Sequence, residues 1–208
     1  MNVGEEQLVA RAQRGDVAAF EELITAYQKK VFNLAYRMVG NQEDASDLAQ
    51  EAFLKAFRAM PDFKGQASFS TWLYRIVSNV CLDELRQRRR RQTISLDEPL
   101  QLEDEPLPRQ VADSGDGPEE ILERREVQEI VQQGIGELGD DHRLALILRE
   151  LQGKSYQEIA EITGCNIGTV KSRINRARLS LKQLLVEREL LNNCYVEINK
   201  PAAEGGTR

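Results

Sequence analysis

The stretch from Asp97 to Glu120 is what most limits how this 208-residue chain can fold. It holds nine acidic residues against one basic residue, Arg109, together with Pro99, Pro106, Pro108, Pro118, Gly115 and Gly117. Like charges repel, and each proline fixes the backbone and removes an amide donor, so a packed element is not expected there. The segment reads as an extended or disordered tether. It divides the chain into a first domain at 1–93, a linker at 94–117 and a second domain at 118–191. The remainder, 192–208, carries Pro201, Gly205 and Gly206 and no motif, and is expected to be disordered.

The formal net charge of −6 argues at first against a polyanionic partner. The acidic segment alone contributes −8, which leaves the rest of the chain at +2. Two basic clusters stand out: five arginines in the six positions Arg86 to Arg91, and Lys171, Arg173, Arg176, Arg178 and Lys182. One such run alone would as readily be a solvated helix face. Two runs on two domains point to a polyanion that both domains contact.

Several classes are excluded or disfavoured. The apolar stretch Ile76 to Leu82 is interrupted by Arg75 and Asp83 well short of the roughly 18 residues of a membrane span, and the N-terminus shows no export signal. A cytoplasmic protein without membrane insertion is expected. Cys81, Cys165 and Cys194 form no C-x-x-C pair, and His142 is the only histidine, so neither a metal site nor a cofactor is expected.

The apolar positions recur at helical spacing throughout. Phe20, Leu23, Ile24, Tyr27, Val31, Leu34, Ala35 and Met38 form a first stripe, closed by Gly40. A second runs from Ala45 to Phe57 behind an Asn41–Asp44 capping signal and ends at Pro61. A third carries Phe69, Trp72, Leu73, Ile76, Val77, Val80 and Leu85, with Ser68 or Ser70 as its cap. No segment alternates with a period of two, so the fold class is all-α: two small helical domains joined by a flexible acidic linker.

In the second domain, Ile121 to Leu138 and His142 to Leu151 read as helices. Ser155 and Glu158 then fit a capping box, Ile159, Ala160 and Ile162 give a short apolar face, and Gly164 suits a turn through positive φ. Asn166 can cap a last helix whose buried side is Val170, Ile174, Ala177 and Leu181. This is the pattern of a helix-turn-helix. The opposite face presents Thr169, Lys171, Ser172, Arg173, Asn175, Arg176 and Arg178. It is net basic and free of acids from Asn166 to Gln183, as a helix lying in a major groove requires.

Two other motifs lack their context. Gly134 to Gly139 matches G-x-G-x-x-G but follows a helical pattern rather than a strand, so its glycines read as an interhelical turn. Gly153-Lys154-Ser155 resembles the end of a phosphate-binding loop, but Leu148 stands where the earlier glycine belongs. No nucleophile with a supporting signature accompanies His142, and no catalysis or small-molecule substrate is expected.

Taken together, the segments Asp44 to Phe53 and Phe63 to Ile76 and the terminal helix-turn-helix resemble a bacterial RNA polymerase sigma factor of the extracytoplasmic-function group. The resemblance covers about Glu5 to Leu191. It implies a transcription initiation factor whose partners are core RNA polymerase, promoter DNA and an anti-sigma factor. By the same resemblance Asp47, Leu48, Gln50, Glu51 and Phe53 dock on the polymerase, although Leu48 and Phe53 fit a bundle core as well. Lys64, Phe69, Ser70, Asn79, Asp83 and Arg86 are implied to hold the melted minus-ten strand, where stacking surfaces and amide or hydroxyl partners are needed. Trp72 fits either the core or a base. Thr169, Lys171, Ser172, Arg173, Arg176 and Arg178 are implied to read the minus-thirty-five element as duplex. Linker acidity suits either a seat in a positively lined polymerase channel or simple solubility. The alternative is a helix-turn-helix regulator whose first domain senses a ligand or partner.

Overall fold

The computed structural model describes residues 3–94 and 118–187; of the linker expected at 94–117, Ile94 instead closes the last helix of the first domain and the rest lies outside the described residues, as does the tail expected at 192–208. Within the described residues every regular element is helical. The first domain contains α1 (Val3–Ala12), α2 (Val17–Thr25), α3 (Gln28–Val39), α4 (Gln42–Ala59) and α5 (Phe69–Ile94). The second contains α6 (Pro118–Glu137), α7 (Asp140–Glu150), α8 (Tyr156–Thr163) and α9 (Ile167–Glu187).

Local chemistry sets most of the boundaries. Asp16 Oδ1 accepts from the Ala19 amide at 3.0 Å and starts α2. Asn41 Oδ1 accepts from the Glu43 and Asp44 amides at 2.8 and 3.1 Å and starts α4. The reciprocal arm of a capping box is missing, because the Asp44 carboxylate turns instead to Arg88 at 2.8 Å. Of the two serines expected to cap α5, Ser68 does so, accepting from the Thr71 amide at 3.1 Å. Gly40 ends α3 at φ 80°, a conformation that costs a residue with a Cβ.

The single stripe from Phe20 to Met38 is two helices, not one. The chain breaks at Ala26 and Tyr27, where the Tyr27 amide donates to the Ile24 carbonyl in a tighter turn. Phe20 and Leu23 before the break and Val31, Leu34, Ala35 and Met38 after it all enter the same core. Periodicity alone therefore does not register the kink.

Phe69 is fully enclosed, its ring 5.5 Å from that of Tyr27 and 5.7 Å from that of Trp72, with Phe63 at 6.3 Å. Around this cluster Leu34, Met38, Met60, Leu73 and Val77 complete the first core. In the second domain Leu144, Ile147, Leu148, Ile159, Val170 and Ile174 are buried in the same continuous apolar cluster, which runs across both domains. Burying each such side chain contributes about 1.5–3 kcal/mol. The glycines expected in an interhelical turn divide differently: Gly134 and Gly136 lie inside α6, and only Gly139 occupies the turn, before α7. A Cβ on Gly134 would stand 2.9 Å from Leu181 Cδ1, so the glycine permits the close crossing of α6 and α9. The two domains touch, α5 packing on α8 and α3 on α6 and α7.

Candidate nucleic-acid interface

The helix-turn-helix forms as the residues require. Ser155 Oγ accepts from the Glu158 amide at 3.2 Å, and Glu158 Oε2 accepts from the Ser155 amide at 2.9 Å. Burial raises the Glu158 carboxyl, but the Ser155 amide, the Lys154 ammonium and the Ser155 hydroxyl outweigh it and hold the group below its ordinary value. Gly164 turns the chain at φ 67°, and Asn166 Oδ1 then accepts from the Thr169 amide at 2.8 Å to open α9. Val170, Ile174 and Ala177 bury one side of α9 against α7 and α8.

The opposite side of α9 is not uniform. Lys171, Ser172, Asn175 and Arg176 are exposed, and Arg176 has no hydrogen-bond or ion-pair partner among the described residues. Thr169 is half-buried, its hydroxyl 3.1 Å from Asn166 Oδ1. Arg173 is also half-buried and pairs with Asp141 of α7 at 2.7 Å. Arg178 is exposed but donates to Glu150 of α7, from Nε at 3.0 Å. Tyr156 lies between two cations, with the Arg149 guanidinium 4.8 Å and the Lys171 ammonium 5.9 Å from its ring centre. Lys171 and Arg176 thus face outward with the least competition from protein acceptors.

In the first domain a half-open cleft of about 190 Å³ lies at the start of α5, lined by Asp62, Phe63, Lys64, Gln66, Ala67, Thr71, Trp72 and Arg75. Lys64 was expected from sequence; Asp62, Gln66, Thr71 and Arg75 were not. Their signal was the polar loop around Gly65, which takes φ 66°. Trp72 packs on Phe63, the ring centres 4.9 Å apart, and its side chain also walls the cleft. Phe69 does not line the cleft, because it is wholly buried and cannot offer a face to a base. Ser70 is half-buried, 3.1 Å from the Ser68 hydroxyl. Asn79, Asp83 and Arg86 are exposed and follow Arg75 at helical spacing, so they form one stripe from the cleft towards the arginine run. Asp83 and Arg86 pair at 2.9 Å.

On α4, Asp47, Gln50 and Glu51 are exposed as expected, Glu51 pairing with Lys55 at 2.7 Å. Leu48, at 6% exposure, belongs to the core, and Phe53 is half-buried. The apolar groups that share the outer face with the carboxylates are instead Leu54, 57% exposed, and Phe57, 38% exposed. Both fall on the helical repeat of Asp47 and Gln50, three and four residues apart.

Among the described residues no cluster of His, Cys, Asp and Glu has the arrangement to hold a metal ion, and no helix is long and apolar enough to cross a membrane. What the geometry defines is a two-domain helical protein with an exposed basic helix closing a helix-turn-helix on one domain and a half-open, aromatic-walled cleft on the other. The profile of Sigma-70 region 2 matches residues 23–91, and that of Sigma-70, region 4 matches residues 128–181. The RNA polymerase sigma-H factor of Pseudomonas aeruginosa is 40% identical over 87% of this chain and 93% of its own length. The ECF RNA polymerase sigma-E factor of Escherichia coli is 41% identical over 84% of this chain and 90% of its own. Among solved structures, the sigma factor RpoE of Bartonella quintana, crystallised with the anti-sigma factor NepR, superposes with a TM-score of 0.63. That match has 27% identity and covers 80% of this chain and 96% of that one. The chain belongs to the sigma-70 family of RNA polymerase sigma factors, in its extracytoplasmic-function group. Its function is transcription initiation, and the matched first domain does not favour a regulator with a sensing domain.

Proposed function

We propose that this sigma factor divides its work among three surfaces. The outer face of α4, with Asp47, Gln50, Glu51, Leu54 and Phe57, docks on core RNA polymerase. Residues Thr169, Lys171, Ser172 and Arg176 of α9 read duplex promoter DNA in the major groove, where Arg and Lys donate to guanine and hydroxyls bond several edges. The cleft at the start of α5 receives a base of the melted strand, with Trp72 as stacking wall, Lys64 and Arg75 as cations, and Thr71 and Gln66 as hydrogen-bonding groups. Asn79 and Arg86 carry the strand onward along α5. Arg173 and Arg178 contribute to phosphate contacts while held by α7.

The observation that carries this reading is the pairing of an exposed basic recognition helix with a polar, aromatic-walled cleft on a separate domain. A melted base needs a pocket once it leaves the stack, and a duplex element needs a helix; the chain has one of each. The protein contributes binding and strand separation, acts in the cytoplasm beside the polymerase, and has no catalysis of its own. An anti-sigma factor is a further partner, supported by the complex formed by the Bartonella relative. The domain division 1–93, 94–117 and 118–191 belongs to the same proposal. The test is transcription from a promoter library by core polymerase with and without the protein. Start sites that depend on Asn79 and Arg176 separately support it, and start sites indifferent to both overturn the residue assignment.

A further inference from the structure

One wall of the cleft at the start of α5 is a loop with few restraints of its own. Lys64, Gln66 and Ala67 line the cleft, and Lys64, Gly65 and Gln66 are exposed. Among the described residues no hydrogen bond holds any residue from Lys64 to Ala67. The loop is fixed at its two ends. At the far end Ser68 caps α5, its hydroxyl accepting from the Thr71 amide at 3.1 Å and its carbonyl from the Trp72 amide at 3.0 Å. At the near end is Phe63, whose ring is buried against Trp72 and whose amide donates to the Met60 carbonyl at 3.2 Å. The Phe63 carbonyl, where the loop departs, accepts from Gln13 Nε2 at 2.6 Å.

Gln13 makes this bond across 50 positions and from outside the matched region 2 profile, which begins at residue 23. Its own place is well determined. Val9 and Ala12 bury α1 in the core, the Gln13 amide donates to the Val9 carbonyl at 2.9 Å, and Gly15 turns the chain at φ 90°. Arg11 then pairs with Asp16 at 2.8 Å across the turn, and Asp16 caps α2. Gln13 is half-buried, and a carbonyl that lost its donor there would turn towards water, carrying the start of the loop with it.

We propose that Gln13 is a positioning residue for the cleft: it fixes the Phe63 carbonyl, and with it the loop from Lys64 to Ala67, so that the opening beside Trp72 is set before a base arrives. A loop ordered in advance loses less conformational entropy on binding, so the single strand is held more tightly. Gln13 touches no nucleotide and acts through Phe63 and the loop that follows it. The effect on single strands rests on the reading of the cleft as their site; the fixing of the loop does not.

The test uses the full chain. Trp72 is the only tryptophan, so acrylamide quenching of its fluorescence reports how open the cleft is. The change in its emission on adding short single-stranded DNA of randomised sequence reports occupancy. Gln13→Met keeps the length of the side chain and removes the donor, and Gln13→Glu keeps the shape and sets an acceptor against an acceptor. Val9→Ala, one turn earlier on α1, weakens the packing of that helix and leaves the bond in place. Both Gln13 variants are expected to be quenched more readily than the wild type. Gln13→Met, which adds no charge, is expected to bind single strands between about twofold and about tenfold more weakly, the range of one net hydrogen bond, with minus-thirty-five duplex binding unchanged. Val9→Ala is expected to lower the melting temperature and to leave quenching and single-strand affinity at wild-type values. Gln13 variants that melt lower but are quenched and bind as the wild type does overturn the proposal. So does a Val9→Ala protein with the same losses, because Gln13 would then contribute stability alone. A wild type that binds no single strand at Trp72 would sink the reading of the cleft, and the quenching comparison would still decide whether Gln13 fixes the loop.

Discussion

Arg173 of the recognition helix and Asp141 of α7 are joined by an ion pair at 2.7 Å, and that pair divides the arginines of α9 into two groups. Arg173, like Arg178 with Glu150, is tied to its own domain; Arg176 is exposed and has no partner among the described residues. An arginine already bonded to a carboxylate must share or surrender that bond to contact DNA, whereas Arg176 gives up only water.

Replacing Arg176 with alanine should therefore weaken binding to a minus-thirty-five duplex by about 1–3 kcal/mol and relax base preference at one position. Arg178→Ala should cost less and act evenly across sequences, as a phosphate contact does. Gel-shift titrations against a set of point-substituted duplexes distinguish the two patterns. Equal losses with unchanged preference would count against base reading by Arg176.

The α4 face predicts a separation of binding from folding. Leu54 is mostly exposed, so Leu54→Ala should weaken association with core polymerase and leave the melting temperature nearly unchanged. Leu48 points into the bundle, and Leu48→Ala should cost about 2–5 kcal/mol of stability. Calorimetric melting beside a polymerase pull-down reads both.

Phe69 and Asn79 should fail in different ways. Phe69→Ala removes a wholly buried ring and should destabilise the first domain by about 3–5 kcal/mol. Asn79→Ala alters an exposed position and should leave duplex binding and stability intact while reducing open-complex formation, as permanganate footprinting of unpaired thymines would show. A thermally stable Phe69→Ala protein with selectively impaired melting would contradict the placement of that ring.

Ser155 and Glu158 give the second domain an acid sensitivity. Loss of the cap in Ser155→Ala should cost about 1 kcal/mol. The folded structure holds the Glu158 carboxyl below its ordinary value of 4.5. Its contribution is therefore fully present above that value and is lost as the pH falls through the lower, folded one. Stability measured by denaturant from neutral pH downward should drop more steeply in the wild type than in Glu158→Gln. Parallel curves would show that the capping carboxylate has no such role.

Short-range chemistry was largely legible in the sequence. The Ser155–Glu158 box, Gly164, Gly40 and the Asn166 cap sit where local hydrogen bonding and positive φ place them. What the sequence concealed depended on the other side of a packing surface. The break at Tyr27 lies within one continuous buried stripe. Helical spacing placed Leu48 on the buried stripe, but it did not show that Leu54 and Phe57, rather than Phe53, stand out beside the carboxylates. Arg75 and Thr71 join the cleft because the loop at Gly65 folds back over α5. The pairing of Arg173 with Asp141 spans 32 positions and leaves no local pattern.

Promoter-dependent initiation tests the central claim most directly. Core RNA polymerase, the purified protein and a library of promoter fragments are combined, and the 5′ ends of the transcripts are mapped. The account predicts that the protein selects defined start sites sharing two upstream elements, that Arg176→Ala changes which upstream element is tolerated, and that Asn79→Ala lowers melting at otherwise unchanged sites. Transcripts with no dependence on the protein, together with tight sequence-specific duplex binding by the protein alone, would contradict it.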